Sequence, residues 1–325
     1  MFKFLRYNHL ISKTYVQKKF ICDRLQTMDF KSGFISIIGA PNVGKSTLLN
    51  ALLSQKVAIT SAKPQTTRYK IKGVLHLPEA QIIFVDTPGI HDASIPYNKY
   101  MVQLALETLE EVDVILLMIE PFPKGLKDGH YIINTYLTQI NKPSILLINK
   151  VDKISKPQLL PIIEEFNKIY PFKAIIPISA KKEAGLEDVI KEIVGCLPEG
   201  PQYYPEDFIT DQSERQITAE IIREKIINTT REEIPYVVAV TVEEFREIPE
   251  KEMLYIRAVI HVERKSQKGI IIGKKGQKLK SIGQAAREEL ELIWGQKVFL
   301  DLFVRVEPNW RQNPKVWGQL RLKMQ

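Results

Sequence analysis

The stretch GAPNVGKST at residues 39–47 constrains this 325-residue chain more than any other. It fits G-x-x-x-x-G-K-[ST], follows the apolar run FISII and precedes the helix-forming STLLNALL, the strand-to-helix setting in which such a loop wraps a polyphosphate. Glycines here let backbone N–H groups face anionic oxygens, and the helix N-terminus behind them adds a positive dipole end. Gly39, Asn42, Val43, Gly44, Lys45, Ser46 and Thr47 are therefore the expected cradle, with Lys45 on the β- and γ-phosphates and the Ser46 hydroxyl on Mg²⁺.

Downstream, QIIFVD (81–86), VDVILLMI (112–119), SILLIN (144–149) and AIIPIS (174–179) alternate with segments of helix length. Near-continuous apolar strands separated by helices imply a mostly parallel sheet covered on both faces, so residues 29–198 are expected to form a doubly wound α/β domain. The proline-, aromatic- and acid-rich stretch from 199 to 215 reads as a linker. Residues 216–325 then change pattern: a helix near 217–230, strands YVVAVTVEEF and LYIRAVIHVER, the loop GIIIGKKGQ opening a helix to about 294, and the strand VFLDLFVRVE. That α-β-β-α-α-β order predicts a small α+β domain.

Three further motifs stand at the ends of the predicted strands. In DTPG, Asp86 is placed to hold the Mg²⁺ shell beside Ser46, with Thr87 and Pro88 shaping the turn and the Gly89 N–H meeting a γ-phosphate. In NKVD, Asp152 can accept two parallel bonds from the ring N–H and exocyclic amine of guanine, where adenine has no ring donor, so discrimination of about 10⁴ is attainable. The stem of Lys150 would cover the purine and Asn149 would tie this loop to the phosphate loop; in SAK, Ser179, Ala180 and Lys181 follow the next strand, with the Ala180 N–H facing the guanine carbonyl. Between loop and DTPG lies KPQTTRYK (63–70), a switch segment in which Thr67, rather than Thr66, senses Mg²⁺ and γ-phosphate. Lys45, Thr67 and Gly89 are the expected catalytic residues.

Composition bounds the remaining possibilities. The longest purely apolar run is VILLMI, far short of the ~20 residues of a membrane-spanning helix. Two cysteines, Cys22 and Cys196, make no disulfide framework and no metal-ligand spacing. The net charge of +8 falls to +3 (40 basic, 37 acidic) without residues 1–27, so an RNA expectation has to rest on local patches. That N-terminal extension (1–28) is basic and lacks a secretory pattern; it reads as an incidental extension ahead of Met28, with organelle targeting as the lesser reading.

Taken together, GxPNVGKSTLLN, ITSxKxQTTR, DTPG, NKVD and SA, followed by YYPEDFITDQSER and EIIREKI, resemble the Era family of bacterial GTPases from about residue 33 to 307. The resemblance implies a P-loop GTPase domain followed by a type II KH domain that binds RNA through a GxxG loop. Here that loop is Gly273, Lys274, Lys275 and Gly276, flanked by Ile271, Ile272 and Lys278, within a run (264–280) of seven basic residues and no acid. It further implies GTP/GDP and Mg²⁺ as ligands, binding to the 3′ end of small-subunit rRNA, a role in small-subunit assembly, and a cytoplasmic monomer with peripheral contact at the inner membrane. Where Ras-like enzymes carry a glutamine after the DxxG glycine, this chain has Ile90 and His91, so turnover is expected to be slow. Asn42 is the candidate ligand for a K⁺ ion that would offset the missing group. Two other classes stay open: a switch acting on a protein or membrane partner, and a constitutive RNA binder with a structural nucleotide. After Pro308 the sequence departs from the family pattern, and Trp294, Trp310 and Trp317 are expected to be packing residues.

Overall fold

A computed structural model describes residues 30–320 except 62, 65, 92 and 93; the N-terminal extension and Cys22 lie outside the described residues. The first half runs β1 (Lys31–Gly39), α1 (Lys45–Leu53), β2 (Ile71–His76), β3 (Ala80–Asp86), α2 (Pro96–Glu111), β4 (Val114–Ile119), α3 (Pro123–Thr135), β5 (Ser144–Ile148), α4 (Lys156–Ile169), β6 (Ala174–Pro177) and α5 (Leu186–Cys196). The six strands form one sheet in the order β2-β3-β1-β4-β5-β6, parallel except for β2, which runs antiparallel along β3. Every residue of β4 and β5 is buried, because helices cover both faces, which is why these strands read as unbroken apolar runs. Strand β2 escaped the sequence reading because Lys72, Gly73 and His76 interrupt its apolar run.

The second half runs α6 (Glu214–Thr229), α7 (Ile234–Val237), β7 (Ala239–Ile248), β8 (Met253–Val262), α8 (Lys265–Ile272), α9 (Gln277–Trp294), β9 (Lys297–Val306) and α10 (Pro314–Gln319). Strands β7 and β8 pair antiparallel, β8 and β9 parallel, and the helices bury one face of this sheet. The α-β-β-α-α-β order expected from sequence is present, with two differences: Tyr236 and Val237, read as the start of a strand, close the helical turn Ile234–Val237, and the three isoleucines before the glycine loop belong to α8.

The stretch read as a linker has no long strand and enters α6 only at its last two residues; the rest is strapped along the GTPase-like sheet. Val74 N donates to Ile209 O (2.8 Å), Lys72 N to Asp211 Oδ1 (3.0 Å), and Tyr203 N and Tyr204 N both to the buried Gln81 Oε1 (2.8 and 3.0 Å). Tyr204 stacks on Phe208 and Tyr203 packs on Phe34, so both tyrosines serve packing. Past Pro308, Trp310 and Trp317 are buried against Tyr97 of α2, with ring centroids 5.2 Å apart in each case, and join the two lobes. No helix among the described residues is long and apolar enough to cross a membrane.

Phe166 on α4 is fully buried beneath α3, where a methyl at Gly129 would stand 3.1 Å from its ring. Phe166→Ala is expected to lower the unfolding free energy of the first lobe by about 3–5 kcal/mol in urea titration; a loss under about 1 kcal/mol would mean the ring is not packed as described.

Candidate functional sites

The loop between β1 and α1 is bent by residues in the left-handed region: Gly39 (φ +151°), Asn42 (+68°) and Gly44 (+109°). The DTPG turn presses onto it so closely that a methyl at Gly89 would lie 2.8 Å from Pro41 N. Lys45 Nζ folds back and donates to Gly39 O and Ala40 O, both at 3.1 Å. Burial pulls its pKa down to about 8, against the pull of Asp86 in the other direction.

At the C-terminal end of β3 the Asp86 carboxylate is fully buried, and that burial raises its pKa. Its Oδ2 accepts from Ser46 Oγ (2.7 Å) and Thr67 Oγ1 (3.2 Å), and the two hydroxyls are 2.9 Å apart. Its Oδ1 is buried with no hydrogen-bond partner among the described residues. Two hydroxyls and a carboxylate with a spare buried oxygen form the hard oxygen set that suits Mg²⁺ beside a phosphate, so the residues fit the cation. Thr66 points elsewhere, donating to Lys63 O (3.2 Å). Thr87 Oγ1 donates to Ile37 O (3.1 Å) and so stitches β3 to β1, while Pro88 follows it into the turn.

Across the loop, Asn149 Nδ2 donates to Val43 O (2.7 Å) and Asn149 Oδ1 accepts from Ala180 N (3.0 Å). One buried side chain thus joins the GKS, NKVD and SAK segments. The second of these bonds was not foreseen: the Ala180 N–H, expected to face a guanine carbonyl, is directed at Asn149 here, and would have to be shared to reach a base. Asp152 is exposed and accepts from Ser179 Oγ (2.7 Å), a bond that lowers its pKa and keeps it ionised. Lys150 (φ +65°) lays its amine on Asn42 O (2.8 Å) and the Glu120 carboxylate, and Lys181 is exposed beyond the turn. Val43 and Thr47 enter the cradle by position, since the Val43 side chain is buried. His91 Nδ1 lies 2.7 Å from Gly89 O and donates to it.

In the second lobe the GKKG turn also occupies left-handed backbone: Gly273 (φ +73°), Lys275 (+51°) and Gly276 (+77°). A methyl at Gly273 would stand 2.6 Å from Lys278 Cβ, whereas one at Gly276 would meet nothing within 4 Å, so this glycine leaves open space for an approaching chain. Lys274 and Lys275 are exposed and Lys278 is half-buried. The expectation that Ile271 lines an RNA groove is corrected: it is fully buried in the core with Ile256, Ala258 and Leu290, and only Ile270 and Ile272 reach the surface in part. A groove of about 470 Å³ instead runs between α9 and β9, lined by Gly276, Lys280, Gly283, Arg287, Leu300 and Leu302. Helical spacing carried the signal, since 280, 283 and 287 recur on one face of α9, which Gly276 precedes.

This fold and these two sites define a P-loop GTPase joined to a KH domain. The sequence matches the 50S ribosome-binding GTPase family over residues 34–150 and the KH domain family over residues 233–311. It is 50% identical to the GTPase Era of Geotalea uraniireducens across 88% of this chain and 96% of that protein, and 49% identical to that of Ruminiclostridium cellulolyticum across 91% and 99%. The crystal structure of Era in complex with MgGDPNP and nucleotides 1506–1542 of 16S ribosomal RNA superposes with a TM-score of 0.87 at 46% identity, covering 91% of this chain and all of that one. A point variant of Aquifex aeolicus Era bound to GDP·AlF₄⁻ gives 0.86 at 46% identity, with the same coverage. The chain belongs to the Era family of GTPases.

A phosphate chain held by Lys45 needs the amine protonated, and in the free protein that amine is half-protonated at about pH 8. Affinity for GDP is therefore expected to hold steady up to pH 8 and to fall by as much as about tenfold per unit above it. Fluorescence titration with a labelled GDP between pH 7 and 9 reads this directly; a flat profile would contradict it.

Proposed function

We propose that this protein is a GTP-controlled RNA-binding switch that holds the 3′ end of small-subunit ribosomal RNA in its KH groove and assists assembly of the small subunit. The observation that carries the reading is the open Gly273–Gly276 turn, with exposed Lys274 and Lys275 beside the α9–β9 groove, in one chain with a Mg²⁺-ready GTPase site. The Era relative solved with MgGDPNP and 16S nucleotides 1506–1542 supports it, as a structure whose whole length this chain matches.

In this reading Lys45 and the Gly89 N–H meet the γ-phosphate, while Ser46, Thr67 and Asp86 hold the cation. Mg²⁺, when bound, neutralises charge on the phosphates as the terminal bond breaks. Asp152, kept ionised by Ser179, accepts the two guanine donors, and Lys150 covers the ring. With Ile90 buried after DTPG and no glutamine there, unaided turnover is slow. We assign Asn42 to a K⁺ ion that raises the rate, so hydrolysis should run faster in K⁺ than in Na⁺ buffer; equal rates remove this role. The protein works in the cytoplasm, and the reading requires no partner chain.

Asp152→Ala should abolish preference for GTP over ATP, a loss of about 10⁴, measured by competition binding. Lys274→Ala/Lys275→Ala should weaken binding of an RNA spanning 16S nucleotides 1506–1542 and lower the slope of log K against log salt by about 1.4. Tighter RNA binding with GDPNP than with GDP, lost in the double variant, is the expected result. Nucleotide-independent RNA binding would leave a constitutive binder, and absence of RNA binding would favour a protein or membrane partner instead.

A further inference from the structure

The two lobes meet around the segment that carries Thr67. Arg68, its immediate neighbour, is only 2% exposed and reaches out of the GTPase domain into the KH domain. Its guanidinium donates to Val238 O (2.5 Å) and Tyr236 O (3.2 Å) at the end of α7 and lies 5.6 Å from the centre of the Trp310 ring. On the other side of Thr67 the contact runs in the opposite direction. Arg223 of α6, 1% exposed and fixed by two bonds to Glu220 (2.8 and 2.6 Å), donates to Thr66 O. Lys63 adds a third crossing, donating to Ile227 O and Thr230 O at the end of α6. Thr67 is thus bracketed by arginines that tie the residue before it and the residue after it to the KH domain.

A surface ion pair would mean little, but these guanidiniums are desolvated and each donates to backbone carbonyl oxygen across the domain boundary. Arg68 is held by the carbonyls of Val238 and Tyr236 and Arg223 by Glu220, so both guanidiniums stay in place only while these KH-domain groups are seated. Helix α6 in turn packs along α9, the helix that opens at the GKKG turn, and Glu289 of α9 pairs with Lys56 (2.6 Å) and with Lys225 of α6. A continuous set of contacts therefore runs from the RNA groove to Thr67.

We infer that Arg68 and Arg223 are positioning residues through which the KH domain holds Thr67 at the cation site, so that GTP binding depends on how the KH domain is seated. The inference rests on the reading of Thr67 as the side chain that senses Mg²⁺ and γ-phosphate. Thr67 then favours the triphosphate state only while both neighbours are anchored, and any shift of α6 or α7 on RNA binding is felt at the nucleotide.

The test uses the full chain with Mg²⁺ and no RNA, comparing affinities for GDPNP and GDP in wild type, Thr67→Ala, Arg68→Met, Arg223→Met and Arg68→Lys. Arg68→Met and Arg223→Met should each weaken GDPNP binding about tenfold, as loss of a charged hydrogen bond allows, and leave GDP binding unchanged. Arg68→Lys should recover part of the loss, and the Arg68→Met/Arg223→Met pair should lose less than the product of the singles, because both act on one segment. Unchanged GDP affinity shows that the GTPase domain is folded, so a variant that merely unfolds is recognised by losing both ligands; Arg68→Lys then carries the test. An unaltered GDPNP/GDP ratio in Arg68→Met and Arg223→Met, with Thr67→Ala losing it, would overturn the inference alone. An unaltered ratio in Thr67→Ala would overturn the reading of Thr67 beneath it.

Discussion

Everything at the nucleotide end of this molecule depends on one buried carboxylate. Asp86 ends a central strand, out of reach of water, with hydroxyls from α1 and from the switch segment on one oxygen and nothing described on the other. A carboxylate in that position is costly unless charge is brought to it, and Lys45 alone, held on its own loop carbonyls, answers only part of the demand. The site is built for a cation and a polyphosphate arriving together, and binding supplies the charge balance the free protein lacks.

The same cluster makes the molecule responsive. Thr67 is the one member of the set that comes from a loop rather than from the ends of β3 or α1, so its position depends on what holds that loop. The neighbours of Thr67 are anchored in the other lobe, and the tail beyond Pro308 packs Trp310 and Trp317 on Tyr97, in the first turn of the helix that follows the DTPG segment. Both the segment around Thr67 and the helix that follows DTPG therefore touch the KH half. Equal affinity of two states for a ligand shifts no equilibrium, and contacts of this kind are how one ligand acquires different affinities for two states.

Much of this was legible in the sequence because the chemistry is local. The glycine loop at 39–47, Asp86 and Asp152 each lie within a few residues of a strand end, and the apolar runs of β1 and β3–β6 announce those strands. What escaped depends on distance along the chain. Strand β2 is a polar-interrupted edge completed by the strap around Ile209 and Asp211, whose composition reads as a linker. Arg68 and Arg223 look like ordinary charges until the fold brings residues 170 and 157 positions apart into contact. Ile271 was expected at the surface, but the helix that ends at Ile272 decides which isoleucine faces inward, and it turns Ile271 into the core.

The most direct test of the account is the affinity for GDPNP measured with and without RNA covering 16S nucleotides 1506–1542. Coupling between sites is reciprocal, so a protein that binds RNA more tightly in the GTP state must bind GDPNP more tightly when RNA is present, by the same factor. The account predicts that tightening, and predicts none for GDP. Equal GDPNP affinity in the two conditions, with both ligands demonstrably bound, would contradict it.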